Sequence, residues 1–135
     1  MKAQAHSLIQ QYYDAFNTQN KDALLALLSD DIVHDINQGP VETGKQAFSV
    51  FMDSANASYR ENVTDLIIMA NEDYSHVATK FTVKGTYLKT ADGLPKANGQ
   101  TYTLPCGAFL EIKKGKISWI TVYYNLQDWL KQVSQ

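Results

Sequence analysis

The sequence has a single cysteine, Cys106, among 135 residues. That count excludes an intramolecular disulfide and any cysteine-based metal cluster. Arginine is equally scarce: Arg60 is the only one. With 7 glycines and 3 prolines, turn residues make up about 7% of the chain against roughly 12% in average usage, so few turns and no low-complexity segment are expected. Charge of one sign is also lacking. Fourteen acidic and twelve basic side chains leave a formal net charge of −2, which gives no electrostatic footprint for nucleic acid or an anionic membrane. The longest apolar runs, Ala23–Leu28 and Leu66–Ala70, are far too short to span a bilayer. The first residues lack the apolar core of a signal peptide. What the chain does have is 44% apolar residues, enough for a core in one domain of this length. The expectation is a single soluble domain over residues 1–135, located in the cytoplasm.

Ala5, Leu8, Ile9, Tyr12 and Phe16 recur at the spacing of one buried helical face. Asn20 is placed to cap a second helix over Lys21–Leu28, which Ser29-Asp30-Asp31 ends. Ile32–Asn37 reads as a short strand with Val33, Asp35 and Asn37 on one face and Ile32, His34 and Ile36 on the other. Thr43-Gly44-Lys45-Gln46 fits a capping box, with Ala47, Phe48, Phe51 and Ala55 forming an amphipathic third helix behind it. From Arg60 onward the pattern is sheet. Strands are predicted from Arg60 to Ala70, His76 to Leu88, Thr101 to Ile112 and Ile117 to Tyr124. Residues 90–99, with Asp92-Gly93, Pro95 and Asn98-Gly99, form a loop. Asn125 is placed to cap a final helix. Three helices, a long antiparallel meander and one helix make an α+β plan.

This order resembles the NTF2-like superfamily. The resemblance rests on Tyr12-Tyr13-Asp14-Ala15-Phe16-Asn17, His34–Gly39 and Thr121-Val122-Tyr123-Tyr124-Asn125-Leu126. Within the superfamily the chain is most similar to SnoaL-like and ketosteroid-isomerase-related proteins. The fold this implies is a cone, in which a strongly curved, mostly antiparallel sheet wraps three N-terminal helices and leaves an apolar pocket at one end. The superfamily mixes isomerases, cyclases, hydrolases, dehydratases and binding domains, so the fold alone does not select an activity. Residue by residue, Tyr12 matches the tyrosine that hydrogen-bonds the substrate carbonyl in ketosteroid isomerase, and Asp35 matches its proton-shuttling aspartate. The second oxyanion donor of that enzyme falls on Gly107 and a supporting tyrosine on Met52. A missing oxyanion donor costs about 10²–10³ in rate, so a fully efficient steroid isomerase is not expected.

Asp35 shares a strand face with Val33. If that face is the core side, desolvation raises the carboxylate's pKa and makes it a better base; if not, Asp35 bonds the adjoining turn. Tyr12 is a neutral donor on the buried stripe, either polarising a substrate carbonyl or bonding the backbone. Strand alternation sends His34 to the opposite face from Asp35, on the outside of the sheet or in an interface. The three histidines lack ligand spacing, so no metal and no cofactor are expected. Epoxide hydrolases of the superfamily use an Asp-Arg-Asp arrangement, for which the lone Arg60 is poorly placed. Cys106 has no activating partner in sequence and reads as a small core residue.

Phe16, Phe48, Phe51, Phe81, Val83, Gly107, Phe109, Ile120 and Tyr124 are the expected pocket lining, suited to a flat hydrophobic ligand. Trp119, Thr121 and Tyr123 then fall on the convex face and suggest a homodimer. The leading expectation is a cofactor-free isomerase or cyclase in which Asp35 takes a proton beside a carbonyl and Tyr12 stabilises the enolate. The alternative is a non-catalytic ligand-binding or dimerisation domain of the same fold.

Overall fold

A computed structural model describes residues 2–134. The elements run α1 (Lys2–Asn17), α2 (Lys21–Leu25), β1 (Leu28–Asp35), β2 (Val41–Thr43), α3 (Lys45–Ser58), β3 (Tyr59–Ala70), β4 (His76–Tyr87), β5 (Thr101–Lys113), β6 (Lys116–Tyr124) and α4 (Leu126–Val133). The six strands form one sheet in the order β2-β1-β6-β5-β4-β3. All neighbours are antiparallel except β1 and β6, which run parallel. Helices and one mostly antiparallel sheet make an α+β fold, with strands β1 and β2 interrupting the helical first third that the sequence suggested.

Alternation decides what faces the helices. In β4 the odd residues Val77, Thr79, Phe81, Val83 and Tyr87 are buried. The register carries that inner face to Tyr102, Leu104, Cys106, Ala108 and Leu110 of β5, then to Ile120, Val122 and Tyr124 of β6. Three register shifts bend the sheet, one between Leu28 and Val33, one between Thr64 and Ile67 with Asp65 at φ 56°, and one between Glu111 and Ile112. An inserted residue of this kind kinks a strand and strengthens its twist. The concave face so produced holds α1 and α3. Ile9, Tyr12 and Tyr13 of α1 and Phe48 and Met52 of α3 join one core with the inner strand residues.

Three local expectations are corrected. The second helix stops at Leu25, not Leu28, because parallel pairing with β6 captures the chain earlier. Leu28 pairs with Ile117, and the Ile117 amide donates to the Leu27 carbonyl at 2.9 Å. Ser29-Asp30-Asp31 therefore lies inside β1. The capping box is not formed. Gly44 occupies the N-cap position at φ 100°, a left-handed conformation suited to glycine, and no side chain caps α3. The short strand β2, which pairs with β1 through Val33–Thr43, His34–Glu42 and Asp35–Val41, had no periodicity to reveal it. The caps at Asn20 and Asn125 are present, their side chains accepting from the Ala23 and Asp128 amides at 3.1 Å each.

Candidate functional site

The parity of β1 is as the sequence indicates, but its two faces are exchanged. His34 pairs with Ile120 of β6 and so lies on the concave side; Asp35 pairs with Thr121 and lies on the convex side. His34 is 7% exposed, its ring 4.7 Å from Phe48 and 4.6 Å from Phe51. It is neither on the outer surface nor free for an interface. Burial lowers its pKa, partly opposed by the neighbouring Asp35 charge. Its Nδ1 is sealed from solvent without a hydrogen-bond partner, and so is Oε1 of Glu42, its cross-strand neighbour on the same face.

Gly107 and Phe109 also fall on the wrong side for pocket lining. Gly107 lies between Lys80 and Tyr123, and Phe109 between Ala78 and Thr121, all on the convex face. The concave side here is taken by its neighbour Ala108, which pairs with Thr79 and Val122. Arg60 is exposed and shares the outer face with Thr86. The remaining lining residues are brought together. Phe48, Phe81, Val83 and Ile120 are buried in the core, while Phe16 and Tyr124 pack against it half-buried. Phe51 is half-exposed at the edge beside His34.

Tyr12 is 7% exposed, and its ring meets that of Tyr13 edge-on at 5.2 Å. Burial drives its pKa far upward, so the phenol stays protonated. The Tyr13 hydroxyl shares a 2.7 Å hydrogen bond with Thr79 Oγ1 on β4. Asn17 fixes the end of α1 against β3, accepting from the Val63 amide at 2.7 Å and donating to its carbonyl at 3.0 Å.

The polar cluster that sequence reasoning missed lies one end of the sheet away from His34. Glu61, Gly85 and Tyr102 form one row across β3, β4 and β5 on the concave face. Tyr102 donates to Glu61 Oε2 at 2.6 Å. Burial raises the Glu61 pKa against the lowering effect of that bond. Cys106 and Tyr124, cross-strand partners on β5 and β6, are electrostatic neighbours of Glu61. Burial first and then the Glu61 charge push the Cys106 thiol up to about 12, which leaves it a protonated, unreactive thiol as expected. Tyr124 is raised for the same two reasons in the same order. Tyr59 stacks on Tyr87 at 5.6 Å, and Trp129 of α4 closes this end against Tyr59, Tyr87 and Tyr102. The available signal was parity: Glu61 shares a strand face with Val63 and Tyr59, as Asp35 does with Val33.

Two surface depressions flank α1 on its outer side. One, of about 700 Å³, is lined by Lys2, His6, Gln10 and Asp14 among others; the second, of about 480 Å³, reaches Leu27 and Lys116. Neither includes a residue of the expected apolar lining. Among the described residues, no helix is long and apolar enough to cross a membrane.

Residues 9–120 match the SnoaL-like domain family. The chain belongs to that family. It is similar to a candidate polyketide cyclase of Pseudomonas putida KT2440, at 53% identity and a TM-score of 0.94 over 96% of this chain and 97% of that one. A second candidate polyketide cyclase, from Xanthomonas campestris pv. campestris, is 48% identical with a TM-score of 0.93 over 97% of each chain. An LEH-like epoxide hydrolase of M. tuberculosis shares the fold at 16% identity and a TM-score of 0.77, covering 98% of this chain and 90% of that one. No curated protein matches significantly.

Proposed function

We propose that this SnoaL-like protein is a cofactor-free isomerase or cyclase that moves a proton on a hydrophobic carbonyl compound. One observation carries the reading. The hydroxyls of Tyr12 and Tyr124 make no hydrogen bond to any described residue, and burial keeps both phenols protonated on the helix-covered side of the sheet. A neutral phenol in an apolar site is a donor awaiting an acceptor, and a carbonyl whose oxygen gains charge during enolisation is the acceptor it stabilises most. The name of the Pseudomonas relative supports the same chemistry.

The test is incubation of the wild-type protein in D2O with steroids, cyclic enones and polyketide-like aromatic ketones, followed by proton NMR. Exchange of protons beside the carbonyl above the buffer rate is expected. Ligands that bind without exchange would favour the carrier reading instead.

A second proposal concerns assembly. Met69, Ala78, Phe109, Thr121 and Asp35 form one convex row across five strands, although Thr121, expected at the interface, is fully buried within the chain and is not part of the exposed patch. Phe109 is 52% exposed, Tyr123 46%, Ile67 51% and Met69 49%. Trp119 lies on the same face beside Glu111. An apolar patch of this extent on a sheet face fits a second copy of the chain. On this reading Asp35 belongs to the rim of a dimer interface.

A further inference from the structure

Resting on the proton-transfer reading, we infer that Glu61 is the base of this protein, with Tyr124 the donor to the substrate oxygen. The register excludes Asp35 from the concave side, so the base must come from a group that faces inward. Among the described residues of the sheet two carboxylates do so, Glu61 and Glu42. They differ in how they are held. Glu61 is fixed by the Tyr102 hydroxyl on Oε2, while Oε1 accepts no bond from any described residue. One oxygen is thus anchored and the other unpartnered, the arrangement a positioned base needs. Glu42 has no such anchor, and its Oε1 is sealed from solvent beside the sealed Nδ1 of His34.

The backbone is adapted to the Glu61 arrangement. Gly85 sits between Glu61 and Tyr102, and any Cβ there would overlap the Tyr102 ring. The absent side chain lets the ring lie across β4 and reach the carboxylate. Cys106, Tyr59, Tyr102 and Tyr124 surround Glu61, and none of them is a cation that would stabilise its charge. Glu61 Oε1 takes a proton from the carbon beside the carbonyl. The C–H bond breaks, an O–H bond forms on Glu61, and the electron pair moves into the enolate, whose oxygen accepts from the Tyr124 hydroxyl. Return of the proton at a conjugated carbon gives the isomer; attack of the enolate carbon on a second carbonyl of the same molecule, followed by protonation of the new alkoxide from Glu61, gives the cyclised product. Neither route needs an oxidant or reductant.

The probe is 2-tetralone, an apolar fused-ring ketone. Binding is read by quenching of tryptophan fluorescence, to which Trp129 beside Tyr102 contributes, and proton exchange by NMR in D2O. Glu61→Gln is expected to bind the probe and to lose about 10²-fold or more of the exchange rate above buffer. Tyr124→Phe is expected to lose about 10²-fold, and Asp35→Asn to retain the wild-type rate. Should Glu61→Gln fail to fold, Glu61→Asp, which withdraws the carboxylate by one methylene, is expected to lose at least about tenfold, since small misplacements of a base are costly. Wild-type exchange that survives Glu61→Gln, or that falls only in Glu42→Gln or His34→Gln, overturns the assignment of the base and leaves the proton-transfer reading standing. A wild-type protein that binds 2-tetralone without accelerating exchange, or does neither, overturns both.

Discussion

The ring of Tyr102 covers the bare backbone of Gly85, so closely that a methyl group on Gly85 would share its space. The two residues are direct cross-strand partners. Glycine here serves close approach, since Gly85 is not among the glycines with positive φ.

Gly85→Ala should therefore displace Tyr102 and break its bond to Glu61. Overpacking of this kind costs about 1–3 kcal/mol. Urea unfolding of the variant is expected to show that loss at unchanged m-value, whereas Gly→Ala at an unobstructed strand site would be stabilising or neutral. Unchanged stability would mean the ring has room to move.

Glu61 makes stability depend on pH. Its folded-state pKa is raised by burial, so the folded protein binds its proton more tightly than the unfolded chain does. The stability this contributes is fully present below the ordinary carboxylate pKa and is lost as pH rises through the raised value. Glu61→Gln removes that dependence. The variant is expected to unfold at a higher temperature than wild type at neutral pH, with the gap closing toward pH 4. A gap that widens on acidification would show the opposite shift.

His34 acts in the other direction. Burial lowers its pKa, so its contribution is present above the ordinary histidine value of about 6.5 and is lost as pH falls toward the lowered one. Chemical denaturation between pH 7.5 and 5.5 should show wild type losing stability, and His34→Gln should flatten that slope.

Much of this was legible in the sequence. The alternation of β4, the caps at Asn20 and Asn125 and the helical stripe through Tyr12 depend on local spacing, and all are present. The family was legible too, carried by Tyr12–Asn17 and His34–Gly39. What was not legible is which face of β1 turns inward. Periodicity separates His34 from Asp35 but cannot say which is inside, because that is set by pairing with Ile120 and Thr121 more than eighty residues away. The same ambiguity misplaced Gly107 and Phe109. Glu61 escaped notice because the bulge at Asp65 interrupts the alternation of β3 and breaks its inner face in two.

The convex face yields a prediction independent of the chemistry. Phe109 and Tyr123 meet edge-on at 5.6 Å and are both about half exposed. Phe109→Lys combined with Tyr123→Lys should convert a dimer to a monomer by sedimentation, with little loss of monomer stability, because exposed positions tolerate charge. A wild type that sediments as a monomer would contradict the proposed interface.

The central claim is that the chemistry lies on the concave face at Glu61 and not at Asp35. The most direct measurement is thermal shift of wild type, Glu61→Gln and Asp35→Asn with a panel of planar phenols, whose ionised forms resemble an enolate. A ligand at 100 times its Kd stabilises by about 2.7 kcal/mol, a shift of several degrees. The account predicts stabilisation of all three proteins, larger in Glu61→Gln because a carboxylate facing the phenolate has been neutralised, and equal in Asp35→Asn and wild type. An enhanced shift confined to Asp35→Asn would contradict it.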